Sequence, residues 1–194
     1  TGVWNTVNPA GTSSFLFVRG GAIVNFNADD VNGVGNANGV EGILLGDGTT
    51  AGTGTLQTNG KNISIPRLDI GAIATGFDGA LLGSGTINVT STATDYNTGI
   101  RLFRGSVAAN LAGVATILKQ GLGDATLSGN NSGLTGTVAA TRLDSGNLIL
   151  DYTSNNLAKI STAAGLDMRG ATLTINGNAS AATSQTVTST TFAN

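Results

Sequence analysis

The sequence predicts an all-β fold in which short strands coil into a solenoid. Thirty glycines among 194 residues, with 10% charged and 5% aromatic residues, indicate frequent turns and small packed side chains. Apolar residues gather in short runs bounded by Gly, Asn or Asp, which is the pattern of strands and turns. The runs cover residues 15–18, 22–26, 43–45, 63–65, 115–118, 148–150 and 173–175. This ordering predicts a folded chain and not a disordered linker.

Alternation within the runs and turn signals between them both favour strands. In residues 172–175 polar and apolar residues alternate, so Leu173 and Ile175 are expected to point inward and the threonines outward. Glycine, Asn and Asp supply the positive φ angles of tight turns. The predicted turns are Asn32-Gly33, Asp47-Gly48, Asn59-Gly60, Asp78-Gly79, Gly129-Asn130, Gly146-Asn147 and Asn176-Gly177.

One stretch leaves a helix open as an alternative. Ser106 could cap a helix that ends at Gly121 and carries Leu111, Val114, Ala115 and Leu118 on one face. The second half of this stretch, residues 116–121, favours a strand followed by a turn.

A loosely repeated unit, Gly-x-Gly-Thr-(Leu/Ile), occurs at residues 52–56 and 83–87, with related units at 121–127, 146–150 and 170–175. The first large apolar residues of these units are Leu56, Ile87, Leu127, Leu148 and Leu173, at steps of 31, 40, 21 and 25 residues. Such steps fit solenoid coils with insertions. Because one unit cannot bury its own apolar face, neighbouring coils are expected to stack. A second echo pairs residues 16–20 with residues 102–105.

Residues 118–133 read Leu-Lys-Gln-Gly-Leu-Gly-Asp-Ala-Thr-Leu-Ser-Gly-Asn-Asn-Ser-Gly. This stretch resembles the autotransporter-associated β-strand repeat, whose pattern is approximately L-x-K-x-G-x-G-x-x-T-L-S-G-x-N-x-x-x-G. Residues 136–150 look like the closing strand of that repeat, and residues 172–187 are similar to segments that accompany it. The resemblance is specific over residues 115–150, fair over residues 171–187 and only compositional before Gly99.

The resemblance implies a right-handed parallel β-helix outside a bacterial cell, at its surface or secreted, as a passenger stalk, adhesin, or layer or filament component. It carries over no catalytic residues, because the repeat is a structural unit. The implied partners are further copies, neighbouring repeats, surface glycans or other cells. The expected organisation is an N-terminal β region at residues 1–98 and a solenoid at residues 99–194, in one unit of a longer protein. Before Gly99, irregular coils, a cap and a β-sandwich all stay open.

Composition excludes several kinds of chemistry. The chain has neither histidine nor cysteine, which excludes a Ser-His-Asp triad, histidine or thiolate metal sites, and disulfides. A net charge of -2 and nine dispersed Lys and Arg residues argue against a nucleic-acid partner. No apolar run is long enough to cross a bilayer, so we expect no membrane span in this segment.

Carboxylate chemistry is the remaining route to catalysis. Paired carboxylates could act on glycosidic bonds, so a carbohydrate-active β-helix, such as a lyase or tailspike-like fragment, is the alternative function. A passive spacer is a further alternative. However, Glu41 is the sole glutamate, and four of the ten aspartates adjoin Gly or Ser. Most of the ten are predicted to cap turns. We therefore expect no enzyme activity.

Residues 30–41 match the template of a calcium loop in part. The candidate ligands are Asp30, Asn32, Asn36, Asn38 and Glu41. Val34 occupies the fifth position and offers no side-chain oxygen, so a surface turn is the favoured interpretation. No cofactor is expected, with calcium the single candidate.

Arg101 and Arg104 could contact an anionic polymer, but a solvated β edge is the favoured interpretation. The aromatic residues are scattered along the sequence, so core or cap packing is predicted for them and not a platform for sugar stacking. They are Trp4, Phe15, Phe17, Phe26, Phe77, Tyr96, Phe103 and Tyr152.

Overall fold

The chain forms an all-β solenoid, seen in a computed structural model that describes residues 15–29, 41–46, 48–92, 99–137 and 139–193. Within these ranges no residue is helical. Parallel strands stack into three sheets and wind through about 6 turns. The predicted fold class, stacked coils of β-structure, is confirmed.

The described residues contain nineteen short strands. In chain order the first ten are β1 (Phe15–Val18), β2 (Ile23–Asn25), β3 (Gly42–Leu45), β4 (Gly54–Gln57), β5 (Ile63–Ile65), β6 (Arg67–Ile70), β7 (Gly79–Leu82), β8 (Thr86–Val89), β9 (Ile100–Leu102) and β10 (Gly105–Val107). The others are β11 (Asn110–Gly113), β12 (Ile117–Lys119), β13 (Asp124–Leu127), β14 (Gly133–Leu134), β15 (Thr141–Leu143), β16 (Asn147–Asp151), β17 (Leu166–Met168), β18 (Thr172–Asn176) and β19 (Thr190–Phe192).

Successive coils contribute strands to sheets 1 and 2, and four of the coils also contribute a strand to sheet 3. Sheet 1 has the order β1-β3-β6-β9-β12-β15-β17-β19, sheet 2 the order β2-β4-β7-β10-β13-β16-β18, and sheet 3 the order β5-β8-β11-β14. Strands on the two sides of Gly99 pair in all three sheets, β6 with β9, β7 with β10 and β8 with β11. The same solenoid therefore runs through this point of the chain.

Inward side chains stack in columns along the solenoid axis. In sheet 2 the column is Leu56, Leu81, Val107, Leu127, Leu150 and Ile175. The first five of these are almost completely buried, whereas Ile175 in the last coil is 51% exposed. Since strands alternate their side chains between two faces, one register error would move a whole set of aliphatic side chains to the surface. The predicted inward orientation of Leu173 and Ile175 agrees with their register against Leu148 and Leu150.

The repeated Gly-x-Gly-Thr unit marks a corner of the coil. A Cβ on Gly54 would overlap the carbonyl oxygen of Val18, and a Cβ on Gly85 would overlap that of Lys61. Each glycine lies where the chain turns into a strand, β4 of sheet 2 and β8 of sheet 3. Both units thus meet the same need, which is close backbone approach at a corner.

Three of the four predicted repeat steps do not join register partners, and the two that involve Ile87 fail because the unit occurs at different corners. Leu56 lies in sheet 2 and Ile87 in sheet 3, so they belong to different corners and do not stack. Leu127 pairs with Leu150 and not with Leu148. Only the last step, from Leu148 to Leu173, joins register partners in adjacent coils.

The structure has strands where a helix was the alternative, and it confirms one of the predicted turns and contradicts another. Residues 106–121 form strands β10, β11 and β12, because Leu111 and Ile117 are needed in the inward columns of different sheets. The predicted turn at Asn59-Gly60 is confirmed by φ angles of 51° and 75°. The turn at Asp78-Gly79 is wrong, since Gly79 begins β7 and is buried.

Strand β16 offers a matched test of this inward packing. Leu148→Ala should cost about 2–5 kcal/mol of unfolding free energy, because it empties a fully buried position between two coils. Ile149→Ala, on the outer side of the same strand, should cost about 1 kcal/mol or less. Urea unfolding followed by circular dichroism measures both. Equal losses would contradict the assignment of inner and outer faces.

Candidate functional site

The outer face of sheet 1 carries most of the arginines of this protein. Five of the six, Arg19, Arg67, Arg101, Arg142 and Arg169, lie on this face or directly after its strands. Asp69, Asp144 and Asp167 accompany them, so the described charged groups of the face sum to +2, although the whole chain carries -2. The described outer positions of sheets 2 and 3 hold mainly Thr, Ser, Asn and Ala, with Asp124 and Asp151 on sheet 2. Sheet 1 is therefore chemically distinct from the other two faces.

Strand alternation brings aromatic rings to the same face. In β1, Leu16 and Val18 point into the core, so Phe15 and Phe17 point outward. The guanidinium of Arg67 lies 5.4 Å from the Phe15 ring centroid, and that of Arg19 lies 4.5 Å from Phe17. Both distances suit cation–π attraction.

Gly42 makes room for the first of these contacts. It lies between Phe15 and Arg67 in the register of sheet 1. A Cβ at this position would lie 3.1 Å from Cε1 of Phe15 and 2.8 Å from the carbonyl oxygen of Arg67. Glycine therefore lets the aromatic ring and the arginine close over the intervening strand.

Asp69 is held between two arginines. Arg67 donates from Nε to Oδ1 at 3.1 Å and from Nη2 to Oδ2 at 2.6 Å. Arg101, on the next strand, donates from Nε to Oδ1 at 2.9 Å and from Nη2 to Oδ2. Two forked pairs on one carboxylate give a triad of net charge +1. Phe103 completes the group, with its ring 5.4 Å from the guanidinium of Arg101.

The environment of Asp69 changes its acidity. The residue is 2% exposed, and burial raises the pKa of its carboxyl from 3.8 to about 6. The hydrogen bonds and charge of Arg67 act in the opposite direction and keep the pKa from rising further. Asp69 is thus a carboxylate that can change charge under mildly acidic conditions.

These residues form the arginine–aromatic patch, defined as Phe15, Phe17, Arg19, Arg67, Asp69, Arg101 and Phe103. It occupies the N-terminal half of the outer face of sheet 1, on strands β1, β6 and β9 and the residues that follow them. Phe17 is 44% exposed, so its ring is accessible. The patch has a net charge of +2.

The C-terminal half of the same face is electrically balanced. Arg142 pairs with Asp144 and Arg169 pairs with Asp167, at 2.6 and 2.7 Å. Arg142 lies opposite Asp167 in the register of β15 and β17. Opposite charges thus alternate both along and across these strands, which favours this register over a shifted one.

Two buried lysines form a second set of charged groups, at corners of the coil. Lys119 replaces an aliphatic residue in the inward column of sheet 1, between Leu102 and Leu143. Its ammonium donates to the carbonyl oxygens of Phe103, Gln120, Gly121 and Ser145 at 2.8–3.1 Å. Burial lowers the pKa of Lys119 to about 8.

Lys159, between β16 and β17, makes the same kind of contact. It donates to the carbonyl oxygens of Ser128 and Gly129 and to Oδ1 of Asn155. Its ammonium lies 5.1 Å from the centroid of the buried Tyr152 ring. Burial lowers the pKa of Lys159 and raises that of Tyr152. Both lysines satisfy backbone carbonyls that the corners leave without strand partners.

Several predicted assignments need correction. Arg101 lies in β9, an interior strand of sheet 1, and Arg104 pairs with Asp78, so neither guards a solvated β edge. Asp69 and Asp167 lie within strands and pair with arginines, so the prediction that they cap turns is wrong. Asp151 does cap a turn, since its Oδ1 accepts from the Thr153 amide.

The aromatic residues divide between the two roles considered. Tyr152 is completely buried, as predicted. Phe15 and Phe17 instead lie on the outer face of sheet 1, which the sequence analysis missed, whereas Phe103 is buried beside Arg101. The signal lay in residues 15–18, where two aromatic residues alternate with two aliphatic ones. Trp4 and Tyr96 lie outside the described residues.

The calcium candidate is mostly outside the described residues as well. Four of the candidate ligands lie outside the described residues, namely Asp30, Asn32, Asn36 and Asn38. The fifth, Glu41, is exposed directly before β3. Among the described residues, no three His, Cys, Asp or Glu side chains are grouped as metal ligands. Nor does the described part contain a helix with the length and hydropathy to cross a membrane.

Comparison with protein-family models, curated proteins and solved structures found no match for the chain. The resemblance to autotransporter-associated repeats therefore rests on the quoted residues and on a fold compatible with a β-helix repeat protein.

The acidity of Asp69 can be measured directly. Its carboxyl carbon should titrate in a ¹³C NMR experiment with a midpoint near pH 6, because burial outweighs the attraction of the arginines. Asp69→Asn should remove this resonance and so confirm its assignment. A midpoint at or below 3.8 would mean that the two guanidinium groups dominate.

Lys119→Met should destabilise the protein by about 2–5 kcal/mol, since four buried carbonyl oxygens lose their donor. Between pH 8 and 10.5 the unfolded chain keeps the Lys119 proton and the folded chain releases it, so stability should rise with pH in this window. Chemical unfolding at several pH values should show a smaller rise in the variant. Lys61→Met is the control, and equal pH dependence in all three proteins would contradict the assignment.

Proposed function

We propose that this chain is a structural or adhesive module of a bacterial cell-surface or secreted protein. The observation that carries the proposal is a single aliphatic core running through all the stacked coils, with one charged and aromatic face on the outside. Such a module projects a binding face along a stiff axis. A β-solenoid fold is consistent with this role.

Stiffness follows from the way the coils are joined. Eight parallel strands at about 4.8 Å spacing make sheet 1 roughly 35 Å long. Every interior strand of a sheet pairs with the coils above and below it, and one cluster of buried aliphatic residues extends from Leu16 to Leu166. A rod of this kind resists bending because bending must open backbone hydrogen bonds on one side. This is the mechanical property that a stalk or adhesin needs.

The arginine–aromatic patch favours an adhesive role over that of a passive spacer. A spacer needs only a polar surface, such as the outer faces of sheets 2 and 3, which are rich in Thr, Ser and Asn. Exposed aromatic and arginine side chains are typical of interaction surfaces. The carbohydrate-active alternative has less support, since Asp69, Asp144 and Asp167 each accept hydrogen bonds from an arginine and Asp69 is only 2% exposed.

Antibody labelling of source cells tests the proposal. An antibody raised against the purified chain should label intact cells or their medium as strongly as permeabilised cells. Beads coated with the chain should also adhere to cells more than beads coated with an inert protein. Labelling that requires permeabilisation would contradict the proposed location, and adhesion equal to the inert control would leave only the structural role.

A further inference from the structure

We infer that the arginine–aromatic patch binds an acidic polysaccharide, with sugar carboxylates on Arg67 and Arg101 and a sugar ring on Phe17. This inference deepens the proposed function and rests on it, since it names the partner of the adhesive face.

Arg67 and Arg101 keep N–H donors that the protein does not use. Each guanidinium has five N–H donors, and both arginines spend Nε and Nη2 on Asp69. Their Nη1 groups meet no acceptor within the described part of the chain. The two arginines are 22% and 17% exposed, and their triad keeps a net charge of +1. A second carboxylate can therefore bind at this position without breaking the pairs to Asp69.

Pre-organisation strengthens this site. Asp69 fixes both guanidinium groups through its hydrogen bonds, and the rings of Phe15 and Phe103 lie beside them. Arginine side chains lose rotamer freedom when they bind a ligand, and here that freedom is already spent in the free protein. The ligand meets two guanidinium groups that are already held at fixed positions.

Phe17 offers an exposed aromatic ring. Its ring is 44% exposed on strand β1, at the same register position that Asp69 occupies on β6 and Arg101 on β9. The apolar face of a sugar ring can cover such an aromatic surface. Leu44 lies between Phe17 and Asp69 and extends the apolar floor.

The spacing of the strands and the charge density of the patch both bear on the kind of polymer that fits. Adjacent strands of a sheet lie about 4.8 Å apart, which is comparable to the length of one sugar in an extended chain. A polymer along the solenoid axis would meet Phe17, Leu44, Asp69 and Arg101 on four successive strands. Nucleic acid carries denser charge and needs many unpaired cations, whereas this patch has a net charge of only +2. The balance favours a carboxylated glycan.

Binding of oligogalacturonate to the purified full chain tests the inference, with a neutral malto-oligosaccharide of equal length and a single-stranded oligonucleotide as comparisons. Isothermal calorimetry should show binding of the acidic sugar alone. Arg67→Gln with Arg101→Gln should weaken it at least tenfold, and Phe17→Ala several-fold. The matched control is Arg142→Gln with Arg169→Gln, which removes the same two charges from the same face and should change affinity less than twofold.

Folding of each variant is checked by circular dichroism. If loss of both arginines unfolds the chain by leaving Asp69 unpaired, then Arg67→Lys with Arg101→Lys keeps the charge and removes the forks, and should still weaken binding. Equal loss in the control pair, equal binding of the neutral sugar, or tighter binding of the oligonucleotide would each overturn the inference. Absence of glycan binding together with labelling of intact cells would overturn this inference and leave the proposed function standing.

Discussion

Parallel backbone pairing in strict register is the constraint on which the rest of this molecule depends. Each coil hydrogen-bonds to the next through two or three sheets, so every inward position must be filled in every coil. Aliphatic columns such as Leu56, Leu81 and Val107 satisfy this requirement in sheet 2. The glycines at the corners satisfy another one, since the chain must bring carbonyl groups of one coil against the backbone of the next.

Charge is placed where this architecture needs it or can display it. Corners leave carbonyl oxygens without strand partners, and Lys119 and Lys159 satisfy them from inside the molecule. The alternating Arg–Asp pairs on the C-terminal half of sheet 1 reinforce the register of neighbouring strands. The N-terminal half of that face differs, because Arg67 and Arg101 share one carboxylate and retain donors. Folding does not require a surplus of donors beside an exposed ring, and this surplus is the reason that we propose a binding role for this half of the face.

Much of the architecture could be predicted from local pattern. Short β-branched runs, Asn-Gly turns and the alternation at residues 172–175 are consequences of backbone sterics and of the two faces of a strand, so they are visible without partners. The number of residues in each coil was harder to predict from the sequence. The spacing of the Gly-x-Gly-Thr unit predicts one unit per coil. However, any corner that needs close backbone approach can use this unit, so it occurs in two different sheets.

The sequence by itself determined that this chain folds as stacked β-structure and that it lacks histidine and cysteine chemistry. Only the tertiary structure decided that Phe17, Asp69 and Arg101 share one column on one face. These residues are separated by 52 and 32 positions in the sequence, and loops of variable length lie between them. Their proximity arises from strand register, which is set by the summed packing and hydrogen bonding of whole coils and leaves no signal in any local stretch of sequence.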